Sequence, residues 1–440
     1  MKILRYSNNE YMAVLGLQPV NDNEDYTMAK HCLVLDVDGG KVILNSLTRA
    51  IVYLDANETE KNIFMYRNYF LVPESFDSIK VIDDLRRRCR IPLDSLYLKD
   101  PNQFTILNTT DCNARCFYCY EGKLKNKHHM TPEVALKVAK YIEQTNTSSV
   151  DIDWFGGEPL YNVKAIDLIT NYLISKNKKF QCDMITNGYL FNEHLIKKAK
   201  EVWNLTSVQI TIDGTEKIYN KVKNYKNPIG SNPFKRVMDN IELLLLNNIF
   251  VYIRINVDNY NSSNIFELIK VIAERFGVHP SLRLYLWPIF EEGDYQRTTE
   301  QNTKLFNSIK ELEKVIIGYG FGYGTAPKET IMSTQCMADC GTHVTIDPDG
   351  NIGLCEHFVD SDFHSSIHNP DIKDYNILES WREYEKPLDI CQDCPIYGSC
   401  LRLSKCVEMR KCNQEIKEWK IRKALYGLSD FYNNYLNENV

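Results

Sequence analysis

The sequence lacks the features that mark a secreted, membrane-embedded or nucleic-acid-binding chain. Its first residues, MKILRYSNNEYMAVLG, contain no apolar core followed by small residues, which a secretory signal needs. No run of 18 apolar residues occurs, and the net charge of −6 offers no general attraction for phosphate backbones or anionic lipids. We therefore expect a cytoplasmic protein whose partner is neither a membrane nor a nucleic acid.

Cysteine, by contrast, is plentiful, with 14 among 440 residues. Because thiols in a cytoplasm are kept reduced, metal or redox chemistry explains this number better than a disulfide framework does. Eleven of the cysteines fall into two sets, one at 112–119 and one at 336–412. We interpret the other three as packed or partly exposed thiols: Cys32, Cys89 and Cys182.

A strand followed by a helix repeats six times between residues 104 and 321. The predicted strands are 104–110, 150–155, 181–186, 207–212, 251–257 and 281–287. The predicted helices are 131–144, 162–176, 192–202, 234–248, 263–277 and 302–317. This alternation indicates right-handed crossovers and a parallel sheet, and six units give an incomplete barrel.

Polar residues, cysteines and glycines follow the ends of these predicted strands. The first cysteine set follows the first strand, a GGEP segment (156–159) follows the second, and Thr186 to Gly188 follow the third. In parallel α/β folds the chemistry collects at the carboxyl ends of the strands, so we expect one shared mouth. Candidates there for proton transfer, with no catalytic base singled out, are Asp213, Asp258, Tyr285 and Glu291.

The spacing of the first cysteine set leaves one ligand position open. A structural zinc site uses four ligands, usually as two CxxC pairs, whereas the CxxxCxxC run of Cys112, Cys116 and Cys119 has no nearby fourth partner. Four-iron clusters are held by thiolates, so three of them leave one iron open to an outside ligand. Zinc, or a degenerate site, is the alternative.

This run, at the end of the first barrel strand, resembles the signature of the radical S-adenosylmethionine (SAM) superfamily over residues 104–321. The resemblance implies a 4Fe–4S cluster on the three cysteines, whose open iron binds SAM and cleaves it to a 5′-deoxyadenosyl radical. It also implies that Tyr118 lies beside the adenine and that the backbone of GGEP meets the methionyl amine. The implied SAM contacts are Tyr118, Gly156, Gly157, Glu158 and Pro159, with Thr211 and Asn256 holding the carboxylate and ribose.

The second cysteine set resembles the SPASM extension found on radical SAM maturases of peptides and of sulfatases. Within it, HVTIDPDGNIGLC (343–355) predicts two short strands around a turn. The resemblance implies two auxiliary 4Fe–4S clusters with interleaved ligands, which makes three clusters in all. The first would be held by Cys336, Cys340, Cys355 and Cys406, and the second by Cys391, Cys394, Cys400 and Cys412.

The match departs from the family at one place. Five residues separate Cys400 from Cys406, where the family has three, and the family's usual glycines are absent there. Cys406 is therefore the weakest ligand assignment, and His343 or His357 is a competing partner. Zinc is the rival metal for this set, because CxxC pairs bind it readily.

Residues 1–100 lie outside the predicted barrel and contain no metal-like cluster. HCLVLDV, DGG and KVILNSL predict a hairpin, and helices are predicted near 47–55, near 57–67 and in FDSIKVIDDLRRRC (76–89). This layout resembles the peptide-recognition module of maturases, which implies leader binding by strand addition at a sheet edge. The alternative is an N-terminal cap that covers the barrel.

Together these resemblances imply an α/β fold with three domains: a small α+β module at 1–100, a partial (β/α)6 TIM-like barrel at 101–325 and a cysteine-rich iron–sulfur (SPASM) domain at 326–440. They imply an oxidoreductase that abstracts hydrogen from a ribosomally made precursor peptide and installs a thioether or carbon–carbon cross-link, with flavodoxin or ferredoxin as electron donor. The alternatives are a sulfatase-maturating type of enzyme, which oxidises Cys or Ser to formylglycine, and a non-catalytic peptide-binding protein stabilised by iron or zinc.

Overall fold

The computed structural model describes residues 1–58, 62–90, 100–123, 127–289, 296–323, 327–328, 336–358, 361–400, 404–406 and 412–438. The chain groups into two compact units. The first joins Met1–Pro92 with Tyr323–Cys340 and Trp381–Val440, and the second joins Leu93–Gly322 with Gly341–Ser380. Within the described ranges, no helix combines the length and hydropathy that crossing a bilayer requires.

The elements follow in chain order. The strands are β1 (Lys2–Arg5), β2 (Tyr26–Met28), β3 (Cys32–Val37), β4 (Gly40–Asn45), β5 (Ile51–Asp55), β6 (Leu71–Pro73), β7 (Gln103–Leu107), β8 (Ser149–Phe155), β9 (Lys179–Thr186), β10 (Leu205–Thr211), β11 (Phe250–Val257), β12 (Leu282–Pro288), β13 (His343–Ile346), β14 (Asn351–Gly353) and β15 (Ser365–Ser366). The helices are α1 (Asn9–Leu15), α2 (Ile63–Arg67), α3 (Ser78–Arg88), α4 (Pro132–Gln144), α5 (Val163–Ser175), α6 (Glu193–Glu201), α7 (Glu216–Lys223), α8 (Pro233–Leu246), α9 (Ser262–Phe276), α10 (Thr299–Gly318), α11 (Met337–Cys340), α12 (Tyr375–Ser380) and α13 (Gln414–Glu438).

Six parallel strands, β7 to β12, form the sheet of the second unit and confirm the predicted partial barrel. Neighbouring strands pair in chain order, and at least one helix separates each strand from the next. The first of these helices, α4, begins as expected: the Thr131 side chain accepts a hydrogen bond from the backbone N–H of Val134, and Pro132 occupies the first turn. Helix α7 has no counterpart among the predicted elements.

Alternation along the strands gives this sheet an apolar face and a more polar one. On β8, Val150, Ile152 and Trp154 are at most 1% exposed, whereas Asp151 and Asp153 between them are half-buried. Side chains of a strand point to opposite faces in turn, so the apolar set forms the covered core and the aspartates point to the other face. We call this second face of β7–β12 the lumen of the partial barrel.

Strand β13 extends the barrel sheet, which the sequence did not predict. It pairs in parallel with β7, so that His343 lies opposite Gln103, and β14 and β15 follow it antiparallel. The hairpin predicted within 343–355 is confirmed. Residues 341–380 consequently group with the barrel and not with the chain that follows them, because hydrogen bonds join β13 to a strand about 240 residues earlier.

The first unit contains a four-stranded antiparallel sheet of order β1-β5-β4-β3. It confirms the predicted hairpin, as β3 and β4, and the third predicted helix, as α3. The helix predicted near 47–55 is wrong, because Ile51–Asp55 is β5, paired with both β4 and β1. Ile51 and Val52 are both fully buried although they point to opposite faces, so the segment lacks the alternation that identifies a half-buried strand. Of the helix predicted near 57–67, α2 covers the end, and 59–61 lie outside the described residues.

Both faces of this sheet are covered, partly by residues from the C-terminal part of the chain. On one face Leu428 of α13 packs with Leu33 and Ile51, and on the other Tyr397 joins a core that includes Val52 and Ile82. These contacts bring the segment with Cys391, Cys394 and Cys400 into the N-terminal core. They also explain why residues 381–440 group with residues 1–92.

Candidate active site

The first cysteine set occupies the loop that follows β7. Cys112, Cys116 and Cys119 are free, half-buried thiols. Burial raises the pKa of Cys112 to about 12 and that of Cys119 to about 11, and the charges of a neighbouring glutamate and of the neighbouring thiols add to both shifts. The Cys119 N–H donates to the Cys116 carbonyl at 3.2 Å, so these two cysteines belong to one turn of the loop. These raised pKa values favour the protonated thiols. A bound metal centre reverses that preference, because a coordinating thiol is deprotonated outright.

The GGEP segment packs directly against the start of this loop. The Gly157 N–H donates to the Thr109 carbonyl at 3.1 Å, and the Glu158 N–H donates to the Asp111 carbonyl at 2.9 Å. A Cβ on Gly156, whose φ is +116°, would lie 2.1 Å from the Thr109 oxygen, and one on Gly157 would lie 2.3 Å from the Asp111 oxygen. Both glycines are therefore required for the two backbones to approach this closely.

Glu158 joins the ends of two neighbouring strands. Its buried carboxylate accepts hydrogen bonds from the Thr186 hydroxyl at 2.7 Å, from the Asn187 N–H at 2.8 Å and from the Leu160 N–H at 3.2 Å. Burial raises the pKa of Glu158, and these three donors oppose that shift. The acid of GGEP thus fixes the loop after β8 to the end of β9.

The Gly157→Ala variant is expected to displace the cysteine loop, since the Asp111 carbonyl oxygen occupies the space that the new methyl group needs. Overpacking of this kind costs about 1–3 kcal/mol, and we expect both a lower free energy of unfolding and a lower iron content after anaerobic reconstitution. Gly318→Ala is the control, because a Cβ at this position in α10 meets no atom within 4 Å. Iron content equal to wild type in Gly157→Ala would contradict this role.

A buried polar triad lies beside the loop. The Tyr118 hydroxyl donates to Asp213 Oδ2 at 2.6 Å, and the Lys223 ammonium lies 3.2 Å from the same oxygen and 3.5 Å from the Tyr118 hydroxyl. Burial lowers the pKa of Lys223, but Asp213 outweighs it, so the pKa lies well above its ordinary value and the ammonium stays charged. Burial and Asp213 together raise the pKa of Tyr118 well above its ordinary value, which keeps the phenol protonated as a donor.

Backbone and amide contacts hold the cysteine loop on the end of α7. The Arg115 N–H donates to the Lys223 carbonyl at 2.8 Å, and the Lys226 N–H donates to the Asn113 carbonyl at 2.7 Å. The Asn187 side-chain amide donates to Asn113 Oδ1 at 2.6 Å. The ends of β9 and of α7 therefore both contribute to the position of the cysteines.

The remaining sequence-predicted mouth residues differ in their surroundings. Thr211 is the last residue of β10, and Asn256 on β11 accepts a hydrogen bond from Arg254 Nε at 2.9 Å. Asp258 forms a buried ion pair with Arg297 at 3.3 Å, and the Tyr285 hydroxyl donates to Gln209, so both have structural partners. Glu291 lies outside the described residues.

Lys223 is the functional-site residue that sequence reasoning missed. Its helix, Glu216–Lys223, has charged residues at several positions and resembles an ordinary solvated surface helix. The structure instead buries Lys223 to 2% exposure beside the cysteine loop. The IDG sequence that follows β10 indicated a buried cation, since a charged residue after a strand needs a partner of opposite charge when it is buried.

The second cysteine set is distributed over both units. In the first unit, the Cys394 N–H donates to the Cys391 carbonyl at 3.1 Å, and the Cys400 N–H donates to the Tyr397 carbonyl at 3.1 Å, so these cysteines lie on successive turns. Burial, with contributions from Cys400 and Cys391, raises the pKa of Cys394 to about 11. The other members are half-buried cysteines: Cys336 and Cys340 at α11, Cys355 after β14, and Cys406 and Cys412 before α13. Of the two competing ligands, His343 Nε2 is bonded to Thr105 Oγ1 at 2.9 Å, and His357 stacks on Tyr120 with ring centroids 4.5 Å apart.

Comparison with known proteins identifies this arrangement. A family model described as the radical SAM superfamily matches residues 106–272. An uncharacterized protein of Methanocaldococcus jannaschii is 32% identical over 267 residues, covering 58% of this chain and 85% of that protein. The chain belongs to the radical SAM superfamily. It is thus a radical SAM enzyme, and membership implies SAM and a 4Fe–4S cluster.

Two solved structures share the radical SAM fold with this chain. Native anSMEcpe with bound AdoMet and Cp18Cys peptide aligns with a TM-score of 0.56 at 18% identity, covering 77% of this chain and 99% of its own. SuiB of Streptococcus suis bound to S-adenosylmethionine aligns with a TM-score of 0.51 at 14% identity, covering 85% of this chain and 94% of its own. At these identities the likeness establishes the fold.

The residues present fit the cluster and the cosubstrate that the radical SAM superfamily implies. In the part of the chain that the structure describes, no three His, Cys, Asp or Glu side chains are arranged to hold a single metal ion. Three neighbouring free thiols on one loop instead match the thiolate ligation of a four-iron cluster. Beside them, Asp213 Oδ1 and Asn113 Nδ2 are buried without a hydrogen-bond partner, so a polar cosubstrate would satisfy them.

Proposed function

We propose that this protein is a radical SAM/SPASM peptide maturase that cross-links residues of a ribosomally made precursor peptide. The observation that carries the proposal is the three-thiol loop at the end of β7, held by GGEP and by the Tyr118–Asp213–Lys223 triad. When bound, the cluster supplies the electron that cleaves SAM to methionine and the 5′-deoxyadenosyl radical. The other residues of the site bind and orient the cosubstrate, and they exclude water.

We assign a role to each residue of the site. Cys112, Cys116 and Cys119 hold the cluster. Tyr118, fixed by Asp213, orients the adenine, and the GGEP backbone receives the methionyl amine. Thr211 ends β10, two residues before Asp213, and we assign its hydroxyl and the Lys223 ammonium to the cosubstrate carboxylate as a donor pair. Asn256, polarised by Arg254, is assigned to the ribose.

The second cysteine set would hold two auxiliary clusters in this proposal. Cys391, Cys394 and Cys400, on successive turns of the first unit, would take the second auxiliary cluster with Cys412. The resemblance alone assigns Cys336, Cys340, Cys355 and Cys406 to the first. Because His343 is bonded to Thr105, it is a weaker competitor for Cys406 than its sequence position suggested.

An edge of the N-terminal sheet supports the assignment of a peptide substrate. Strand β3 ends this sheet and, within the described residues, pairs only with β4, so its outer edge offers backbone groups to an added strand. We assign leader binding to this edge. The product is a thioether or carbon–carbon cross-link, with flavodoxin or ferredoxin as the electron donor. The fold shared with anSMEcpe, solved with AdoMet and the Cp18Cys peptide, is compatible with a peptide at the barrel mouth.

The direct test is turnover by the anaerobically reconstituted full-length protein. With iron and sulfide supplied and dithionite as reductant, we expect iron-rich protein that converts SAM to methionine and 5′-deoxyadenosine. Zinc with little iron, or no 5′-deoxyadenosine, would contradict the proposal. Co-expression with the short open reading frames that neighbour the gene, followed by tandem mass spectrometry, is expected to show mass loss at a cross-linked residue pair.

A further inference from the structure

One row of side chains crosses the lumen at a single level. The parallel ladders place Thr345 of β13 opposite Thr105 of β7, Thr105 opposite Asp153 of β8, Asp153 opposite Asp183 of β9, and Asp183 opposite Ser207 of β10. Residues that pair in a parallel ladder point to the same face, so four of the five point into the lumen and Thr345 points to the same face of the β13 extension. We call these five residues the lumen row.

The carboxylates of this row have no positive partner in the part of the chain that the structure describes. Asp183 accepts hydrogen bonds from Thr206 at 2.6 Å and Ser207 at 2.7 Å, and Asp151, one level below, accepts one from Gln181 at 2.8 Å. These donors are neutral. No described Lys, Arg or His forms an ion pair with Asp151, Asp153 or Asp183.

Two cations of the lumen, Arg254 and Arg283, are engaged elsewhere, and Lys179, on the same face of β9, lies two ladder levels below Asp183. The Arg254 guanidinium lies 5.3 Å from the Trp287 ring centroid and donates to Asn256. Arg283 donates to the carbonyls of Pro280 and Leu282. Half-buried carboxylates without a counter-charge carry a desolvation cost that a bound cation relieves.

A second observation, at the same level of the sheet, points to a ligand. Thr345 is 3% exposed, and its hydroxyl has no hydrogen-bond partner although its neighbour in the row, Thr105, is bonded to His343. Buried hydroxyl groups are nearly always satisfied, so this one is available to a group that enters the lumen.

We propose that the lumen row is a binding subsite for a cationic side chain, lysine or arginine, of the peptide substrate. The inference rests on the proposed function, because the lumen is where a peptide would be processed. Asp153 and Asp183, on adjacent strands, face the ammonium or guanidinium, and the Thr345 hydroxyl, two strands from Asp153 at the same level, is open to a polar group of the same peptide. The maturase thus selects a peptide segment with a basic residue next to the modified one.

Protonation of the subsite is expected to weaken this binding. Burial, then the charges of Asp183, Asp151 and Glu356, raises the pKa of Asp153 to about 6. A protonated carboxyl no longer attracts a cation, so affinity is present at pH 7 and above and declines as the pH falls through 6. Among the other titratable groups on this face, Lys179 of β9 lies two ladder levels below Asp183, and His343 of β13 has its pKa lowered to about 4 by burial and stays neutral across this range.

The experiment compares two probes by equilibrium dialysis against the reconstituted full-length protein with SAM. Nα-acetyl-lysine methylamide is expected to bind at least about tenfold more tightly than its norleucine analogue, a difference of about 1.4 kcal/mol. Asp153→Asn and Asp183→Asn are each expected to remove most of that preference. Glu267→Gln, at an exposed acid on α9, is the matched control and should retain it.

Folding of the variants is checked by thermal unfolding. Asp153→Asn should be at least as stable as wild type at pH 8, because it removes a desolvated charge. Equal binding of the two probes, or an unchanged preference in both aspartate variants, would overturn the subsite. This readout needs no turnover: a wild-type protein that binds the lysine probe selectively but forms no 5′-deoxyadenosine would contradict the proposed function while supporting the subsite.

Discussion

Replacing Cys116 by alanine is expected to abolish 5′-deoxyadenosine formation while the absorbance of the auxiliary clusters persists. The other two thiols of the loop cannot hold the cluster alone, and no fourth cysteine lies nearby in the sequence. We expect a loss of at least about 10³-fold, equivalent to about 4 kcal/mol of activation free energy. The measurements are chromatography of 5′-deoxyadenosine, made with dithionite and SAM, and iron content per chain.

The matched control for this variant is Cys89→Ala. Cys89 is a free, half-buried thiol next to α3, outside both cysteine sets. Its removal should leave iron content and 5′-deoxyadenosine formation at wild-type levels. Unchanged 5′-deoxyadenosine formation in Cys116→Ala would contradict the assignment of Cys116 as a cluster ligand. Equal losses in the two variants would indicate a general loss of folding.

Replacing Lys223 by methionine is expected to destabilise the second unit and to weaken SAM binding. The substitution leaves the fully buried Asp213 carboxylate with only the Tyr118 hydroxyl as partner. Breaking a buried ion pair from one side costs about 3–5 kcal/mol, and loss of the cosubstrate's cationic partner should raise the KM for SAM roughly tenfold or more. Urea unfolding and initial rates at varied SAM concentration measure the two effects.

Two further variants separate charge from packing at this triad. Lys223→Arg keeps the charge and should recover most of the stability. Asp213→Asn combined with Lys223→Met removes both charges, so it should be more stable than Lys223→Met alone although it lacks the same ammonium. A destabilisation below about 1 kcal/mol in Lys223→Met, with an unchanged KM, would exclude the role proposed for the triad.

The elements of the barrel were predictable because each one has its own local pattern. The strand of Val150, Ile152 and Trp154 alternates, and α4 has both its cap and its proline in sequence. Strand β5 of the N-terminal sheet could not be predicted in this way, because a segment buried on both faces has no alternation of apolar and polar residues. The hydrogen bond between Glu158 and Thr186 was also unpredictable, since nothing in the residues between them specifies which donors a buried acid will contact.

The sequence by itself determined the chemistry of this protein: the CxxxCxxC spacing, the GGEP segment and the second cysteine set are local patterns, and ligand type and spacing are set by the chain. Only the tertiary structure decided which distant residues serve that chemistry. Lys223 beside Asp213, β13 beside β7, and the lumen row across five strands depend on long-range pairing. Burial in such pairings changes what a charge costs and what it binds, and burial is a property of the folded chain.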